Sequence, residues 1–427
     1  MATRAVTVAP DRHLRVVRVG EPARARARLR DRLRRRERTR SPTVVLVLLG
    51  ATGLLTGIGL VMVLSASSVS SYAEYGSSFL FFKRQAMYAV VGTVMLVLTS
   101  RIRYQAWRRL SVPLLVVTLG LLGLVLHPGA GTVAGGSARW IALGPVTIQP
   151  SEIAKLAMVV FTATILARKW NRLADPLQVA LPLLPVLGVV GALIMLQPDL
   201  GTTVLIAGIV FTGMFAAGVR LRYLALWLVA GTALAFALMH QYQRVRLFTF
   251  LHPWKDPTNT GYQLIQSLIG LGSGGWLGVG LGASRQKWMY IPNAHTDFIF
   301  SILGEELGLI GEIVVLVLFG MLLYSGVRVA ARATDTFGRL LAAGIVGWLG
   351  LQTLVNLGAV TGLLPVTGVP LPFVSFGGSS LVVTLAAVGI LVNIGRSSAE
   401  ASAEVSTAAP KPPPSSGKPR PRRKAAR

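Results

Sequence analysis

Three stretches of this sequence place polar residue types at spacings that could do chemistry. The first reads Arg139-Trp140-Ile141, then Gln149-Pro150-Ser151-Glu152-Ile153-Ala154-Lys155. Pro150 at a first helical position, with Glu152 two residues on, is a good helix start. That accounts for Pro150 and Glu152 but not for Lys155. One turn inside an apolar helix, an ammonium is costly unless it is paired or faces water, which makes Lys155 a functional candidate. Glu152, three residues earlier, is within reach on the same helix. The second stretch reads His295-Thr296-Asp297-Phe298-Ile299-Phe300, with Gly304-Glu305-Glu306-Leu307-Gly308 about two turns deeper. Asp297 or Thr296 could cap the helix that follows. Asp297 could also take a proton from an attacking hydroxyl, and the two roles are compatible. Glu305 and Glu306 are adjacent intramembrane carboxylates, Glu305 nearer the helical face of Asp297, and Gly304 with Gly308 forms a small-xxx-small pair for close approach.

The third stretch begins at Asn356 and ends in Pro370-Leu371-Pro372-Phe373-Val374-Ser375-Phe376-Gly377-Gly378-Ser379-Ser380. So many Pro and Gly make a rigid re-entrant or loop element, tolerated at membrane depth only beside protein or a watery cavity. Ser375, Ser379 and Ser380 could bind a polar substrate, and they could equally cap the next helix, the reading favoured for Ser379 or Ser380. A long segment from Arg244 to Phe300 adds Arg246, Lys255 and a Gly-rich run, Gly270 to Gly282, that has neither P-loop spacing nor a Gly-Lys-Ser/Thr ending. A carboxylate, a buried cation, further cations (Arg139, Arg244, Arg246, Lys255) and a hydroxyl-rich turn suit a substrate with a polyanionic head and a lipid tail. Arg and Lys would hold its pyrophosphate. His252 and His295 stand far apart and the chain has no Cys, so no dedicated metal site is expected.

The elements that must carry these residues follow from composition. The 427 residues are 52% hydrophobic and only 14% charged, with mean hydropathy +0.60. A soluble surface needs roughly twice that charge, so the solvent is lipid. Apolar runs long enough to cross ~30 Å of hydrocarbon, about 20 residues each, lie at 42–66, 78–99, 110–127, 151–168, 177–196, 200–219, 222–242, 298–327, 337–363 and 379–396. The expectation is an all-α integral membrane bundle of about ten helices. Arg101, Arg103, Arg168, Lys169, Arg220, Arg328 and Arg339 cluster in alternate short loops, which puts both termini in the cytoplasm. The large loop between the seventh and eighth spans, and the chemistry, then face outward. The formal charge of +27 sits largely in residues 1–41 and 397–427. Both read as disordered cytoplasmic tails that fix topology and touch anionic lipid rather than nucleic acid. No cleavable signal peptide is visible.

At these motifs the chain resembles the SEDS family (shape, elongation, division and sporulation proteins) over residues 42–396. Lys287-Trp288-Met289-Tyr290-Ile291-Pro292 before Ala294-His295-Thr296-Asp297, and Gly304 before the paired Glu, are more similar to the family's division members than to its elongation members. Phe376 stands where Tyr is commoner and Asn293 where an acidic residue is commoner. The resemblance implies a peptidoglycan glycosyltransferase of the bacterial inner membrane, at the division septum, polymerising lipid II beside a class B penicillin-binding protein and other divisome proteins. It implies that Asp297 deprotonates the acceptor and that undecaprenyl pyrophosphate leaves. Lys155 would keep Asp297 ionised or meet the pyrophosphate. Arg139, Trp140, Gln149, Ser151, Glu152, Arg244, Arg246, Lys255, His295, Thr296, Ser375, Gly377, Gly378 and Ser379 would line the substrate, with Glu305, Glu306 and Asn356 structural. A divalent ion, Mg or Mn, would arrive with the pyrophosphate rather than in a protein cage. The rival readings are a lipid II flippase and a scaffold that only recruits a synthase.

Overall fold

The structure, a computed structural model, describes residues 21–129, 131–134, 137–144, 146–239, 244, 248–288, 290 and 294–407. Among them the helices are α1 Glu21–Tyr75, α2 Leu80–Arg101, α3 Tyr104–Leu126, α4 Pro150–Arg168, α5 Pro176–Met195, α6 Leu200–Ala216, α7 Leu221–Leu238, α8 Tyr262–Ser273, α9 Ile299–Arg332, α10 Thr336–Val360 and α11 Gly378–Thr407. Eight of these are long and apolar enough to cross a membrane, and α6 and α7 are shorter apolar helices. Together these ten fall on the ten runs read from the sequence.

Two expectations change. Residues 21–40 continue α1 as helix where a disordered tail was expected, and α11 runs to Thr407 past the expected end of its span. Ala, Arg and Leu are strong helix formers, and a preformed span removes the cost of nucleation. The loop before α4 is a small antiparallel sheet, β1 Thr132–Ala134, β2 Ser137–Leu143 and β3 Val146–Ile148 in that order, with Thr132 opposite Trp140 and Ile141 opposite Ile148.

The bundle is layered as lipid requires. Helices α4, α10 and α11 are buried over most of their apolar length, whereas α1, α2, α3, α5 and α9 bury a third or less of theirs. Leu46, Leu54, Val90, Val116 and Leu226 point outward, apolar surface that only hydrocarbon tolerates. At the basic end the Tyr104 N–H donates to Asn393 Oδ1 (2.9 Å), Asn393 Nδ2 to the Ser100 carbonyl (2.9 Å) and the Tyr104 hydroxyl to Asp335 Oδ1 (2.6 Å). This ties together α3, α11, the end of α2 and the start of α10. All the candidate motifs gather at the opposite end.

There α9 breaks. Gly308 sits at φ 66, ψ −170 inside the helix, in a region open essentially to Gly. The segment after α8 fills the break. Its amides at Val279 and Gly280 donate to the carbonyls of Glu305 (3.0 Å) and Glu306 (3.1 Å), while Leu309 and Ile310 donate back to Gly275 (2.9 Å) and Trp276 (3.2 Å). So the outer segment re-enters alongside α9 instead of lying wholly outside. The two glycines expected to form a small-xxx-small helix contact do not share a regular helical face, because Gly308 lies in the break; both sit against the returning segment, where a Cβ on Gly274 would meet the Gly304 carbonyl and one on Gly308 the Gly278 amide. Gly308→Ala should therefore cost on the order of 3 kcal/mol from strain and collision combined, read as a lowered melting temperature in detergent. A melting curve matching that of the parent would mean the break is not kept in solution.

Candidate active site

Pro150 starts α4 at its first position, as the sequence suggests, and carries Glu152 and Lys155 inward on one face. Both are buried, and Lys155 Nζ lies 2.8 Å from Glu152 Oε2. The contact is charge to charge, for that oxygen has no partner in hydrogen-bonding geometry. The ammonium donates to Gln352 Oε1 on α10 (2.9 Å) and stands 5.4 Å from the Trp348 ring. Ser151 Oγ is buried beside them without a partner.

Asp297 is half-buried in the turn leading into α9. The cap position falls on Phe298, directly after the Asp297 and Thr296 considered for that role. Thr296 Oγ1 donates to Asp297 Oδ1 (2.9 Å). The Asp297 carbonyl is held by Asn356 Nδ2 (2.8 Å), which also donates to the Val369 carbonyl (2.8 Å). Asn356 lies one helical turn beyond Gln352, whose Nε2 donates to the Pro370 carbonyl (2.9 Å). Two amides on one face of α10 thus grip two consecutive carbonyls of the Pro-rich segment.

That segment is pinned from α2 as well. Gln85, buried, donates to the Ser375 carbonyl (3.1 Å) and accepts from the Gly377 amide (3.4 Å). Ser375 Oγ accepts from the Leu371 amide (2.9 Å), closing a turn in which Phe373 adopts φ 65, a strained conformation for a bulky residue. Gly378 leaves room for the Tyr88 ring. Ser379 lies inside the first turn of α11, and its Oγ accepts from the Gln149 amide (3.2 Å), joining the starts of α11 and α4.

His295 is buried between Phe81 (ring centroids 4.7 Å apart) and Phe376 (5.4 Å), and its carbonyl accepts from the Phe376 amide (2.9 Å). Burial pulls its pKa from 6.5 down to about 4, so it is neutral at physiological pH and offers no cation to a pyrophosphate. The unfolded state binds the proton more readily, so this contribution to stability is complete above pH 6.5 and is lost as pH falls towards 4. It amounts to roughly 3 kcal/mol at most. Melting temperature should therefore fall between pH 7 and pH 4.5 by more in the parent than in His295→Phe. Equal falls would overturn that assignment.

Glu305 and Glu306 serve the re-entrant segment. Glu305 accepts from the Ser284 hydroxyl and from the amides of Arg285 (3.0 Å) and Gln286 (3.3 Å). Glu306 accepts from Ser65 of α1 on both oxygens (2.6 and 2.7 Å) and from the Ser284 amide (3.4 Å). Buried carboxylates are satisfied in this way by aimed donors.

The cations are more dispersed than the sequence suggested. Arg139, on β2 next to a half-buried Trp140, donates to the carbonyls of Gln197 (2.8 Å) and Pro198 (2.6 Å) between α5 and α6. Arg244 turns back onto the end of α7, donating to the Phe236 (3.2 Å) and Ala237 (3.4 Å) carbonyls. Lys255 is exposed on a turn organised by Asp256, whose carboxyl is held below its usual range chiefly by the Thr260 amide and hydroxyl. Arg246 lies outside the described residues. Sequence reasoning missed Gln352, Gln85 and Tyr88. The signal for the first was present, because Trp348, Gln352 and Asn356 recur every fourth residue in an apolar helix.

With this geometry in hand, known proteins supply the context. The family model of the FtsW, RodA and SpoVE cell cycle proteins matches residues 46–400. A probable peptidoglycan glycosyltransferase FtsW of Geobacter metallireducens is 47% identical over 342 residues, 80% of this chain and 91% of that protein. Stage V sporulation protein E of Bacillus subtilis is 43% identical over 357 residues, 83% and 97% of the two chains. Among solved structures, a chain of a peptidoglycan synthase complex that coordinates polymerization and crosslinking superposes with TM-score 0.65 at 32% identity, covering 82% of this chain and 96% of that one. The rod shape determining protein RodA of Thermus thermophilus gives 0.59 at 30%, covering 82% and 95%. The family match over residues 46–400, a range that spans the bundle and contains all three motif stretches, makes this chain a member of the FtsW/RodA/SpoVE family of cell cycle proteins.

Proposed function

We propose that this chain is a peptidoglycan glycosyltransferase, as its FtsW relatives are named, which polymerises lipid II at the outer face of the bacterial cytoplasmic membrane during division. Asp297 accepts the proton of the acceptor sugar's 4-hydroxyl. That oxygen bonds to the anomeric carbon of the donor, the bond from that carbon to the pyrophosphate oxygen breaks, and undecaprenyl pyrophosphate leaves with the electron pair and inversion of configuration. The observation that carries this reading is the setting of Asp297. Its carboxylate stands at the outer end of the bundle, while its backbone is clamped by Asn356 to the same α10 face that meets Lys155.

The pyrophosphate would draw its donors from Arg139 and the exposed Arg244 and Lys255, and from Arg246, which lies outside the described residues. A divalent ion would come with that substrate. Lys155, engaged by Glu152 and Gln352, acts as a positioning residue rather than as a pyrophosphate ligand. The partner is a class B penicillin-binding protein at the septum with other divisome proteins, a reading supported by the synthase complex to which the chain is similar.

Reconstitution into vesicles with labelled lipid II and the partner should yield glycan strands. Lipid II that crosses the bilayer unpolymerised would favour the flippase instead, and a scaffold would do neither.

A further inference from the structure

Gln352 is fully buried on α10, in a membrane-spanning segment where an amide is expensive unless each of its groups is used. Its Oε1 lies between two groups that can only donate, the Lys155 ammonium (2.9 Å) and the Trp348 indole N–H (2.8 Å). That leaves one orientation for the amide: oxygen towards Lys155, nitrogen towards the Pro370 carbonyl. The adjacent carbonyl, Val369, is taken by Asn356, whose same nitrogen holds the carbonyl of Asp297. The α4 cation thereby sets the direction of an amide that fixes the Pro-rich segment, and the segment is tied through Asn356 to Asp297.

We propose that Gln352 is a positioning residue for the transfer reaction: its amide, oriented by Lys155 and Trp348, holds the Val369–Pro370 backbone in the register that places Asp297. This inference rests on Asp297 being the base proposed above. Gln352 itself touches no reacting atom. Lys155 therefore influences Asp297 through α10 and the segment at 369–370.

Two variants separate the parts of this arrangement. Gln352→Met fills the same space without either hydrogen bond. Gln352→Glu keeps an acceptor for Lys155 and Trp348 but offers the Pro370 carbonyl no donor at neutral pH. In the reconstituted complex both should lower kcat by about 10- to 100-fold, the scale of a misplacement of about 1 Å, with KM for lipid II changed by less than about threefold. Amide exchange should quicken on the order of tenfold in peptides spanning 294–300 and 366–377 and stay unchanged at 100–104 and 333–338. A loss in Gln352→Met that is absent from Gln352→Glu would overturn the link to Pro370. Parental turnover and parental exchange in both variants would overturn the whole inference. If the parent itself made no glycan, the glycosyltransferase reading would fail, but the exchange data would still decide whether Gln352 holds the segment.

Discussion

Asp297→Asn should leave a protein that folds, binds lipid II and makes almost no glycan. Asparagine keeps the shape of the side chain and an oxygen that can accept the Thr296 hydroxyl, the bond seen at 2.9 Å. The hold of Asn356 on the residue is through the backbone carbonyl and survives the change. What is lost is basicity, and a positioned general base contributes roughly 10²–10⁴ in rate. Because the base acts on the acceptor hydroxyl only as the new bond forms, the loss belongs to kcat, with KM near that of the parent. Asp297→Glu, which keeps the carboxylate but moves it by one methylene, should retain more activity than the asparagine variant. Single-turnover measurements with the partner present would check both. Polymerisation by Asp297→Asn at the parental rate would remove Asp297 from the chemistry.

Lipid made most of the fold legible. A span must be apolar for its whole length, so the ten runs could be read without any idea of how they pack. Features that answer to protein rather than to lipid were harder to see. The segment Tyr262–Ser273 carries a helical stripe, Leu264, Ile265, Leu268 and Leu271, but it is short and merges into a Gly-rich run that reads as loop. The strands before α4 are three to seven residues long, and only the Gly135-Gly136 pair marked a hairpin in the sequence. The break at Gly308 was not legible, because its spacing to Gly304 reads as close approach of an unbroken helix, and nothing in the sequence signals its partner, the returning segment at 275–280.

The site divides along the same line. Local pairs were readable because a helix fixes their geometry: Glu152 and Lys155, three apart, do meet. Asp297 and Asn356 stood out as polar groups in apolar surroundings, yet nothing in the sequence says that one grips the other's carbonyl. Arg139 and Arg244 were grouped with the candidate anion ligands on charge alone, and the structure gives each a pair of backbone carbonyls. A guanidinium has five donors and takes whatever acceptors the fold presents, information that resides in contacts between distant segments.

The second large effect is expected at Lys155. Lys155→Met leaves Glu152 buried with its nearest cation gone, and breaking such a pair costs about 3–5 kcal/mol. The melting temperature should fall steeply and polymerisation with it, an outcome that alone would not distinguish stability from function. Adding Glu152→Gln removes the stranded charge, so the double variant should regain most of the lost stability, since a buried ion pair replaced as a unit is often close to neutral. Turnover should not return with it. Trp348 still donates to Gln352 Oε1, but the stronger, charged donor that fixes the amide is missing, and kcat is expected to stay about tenfold or more below the parent. Purified single and double variants, compared for melting temperature and for glycan formed per minute, make the test. Full turnover in the stable double variant would reduce Lys155 to a counter-charge for Glu152 and break the connection between α4 and Asp297.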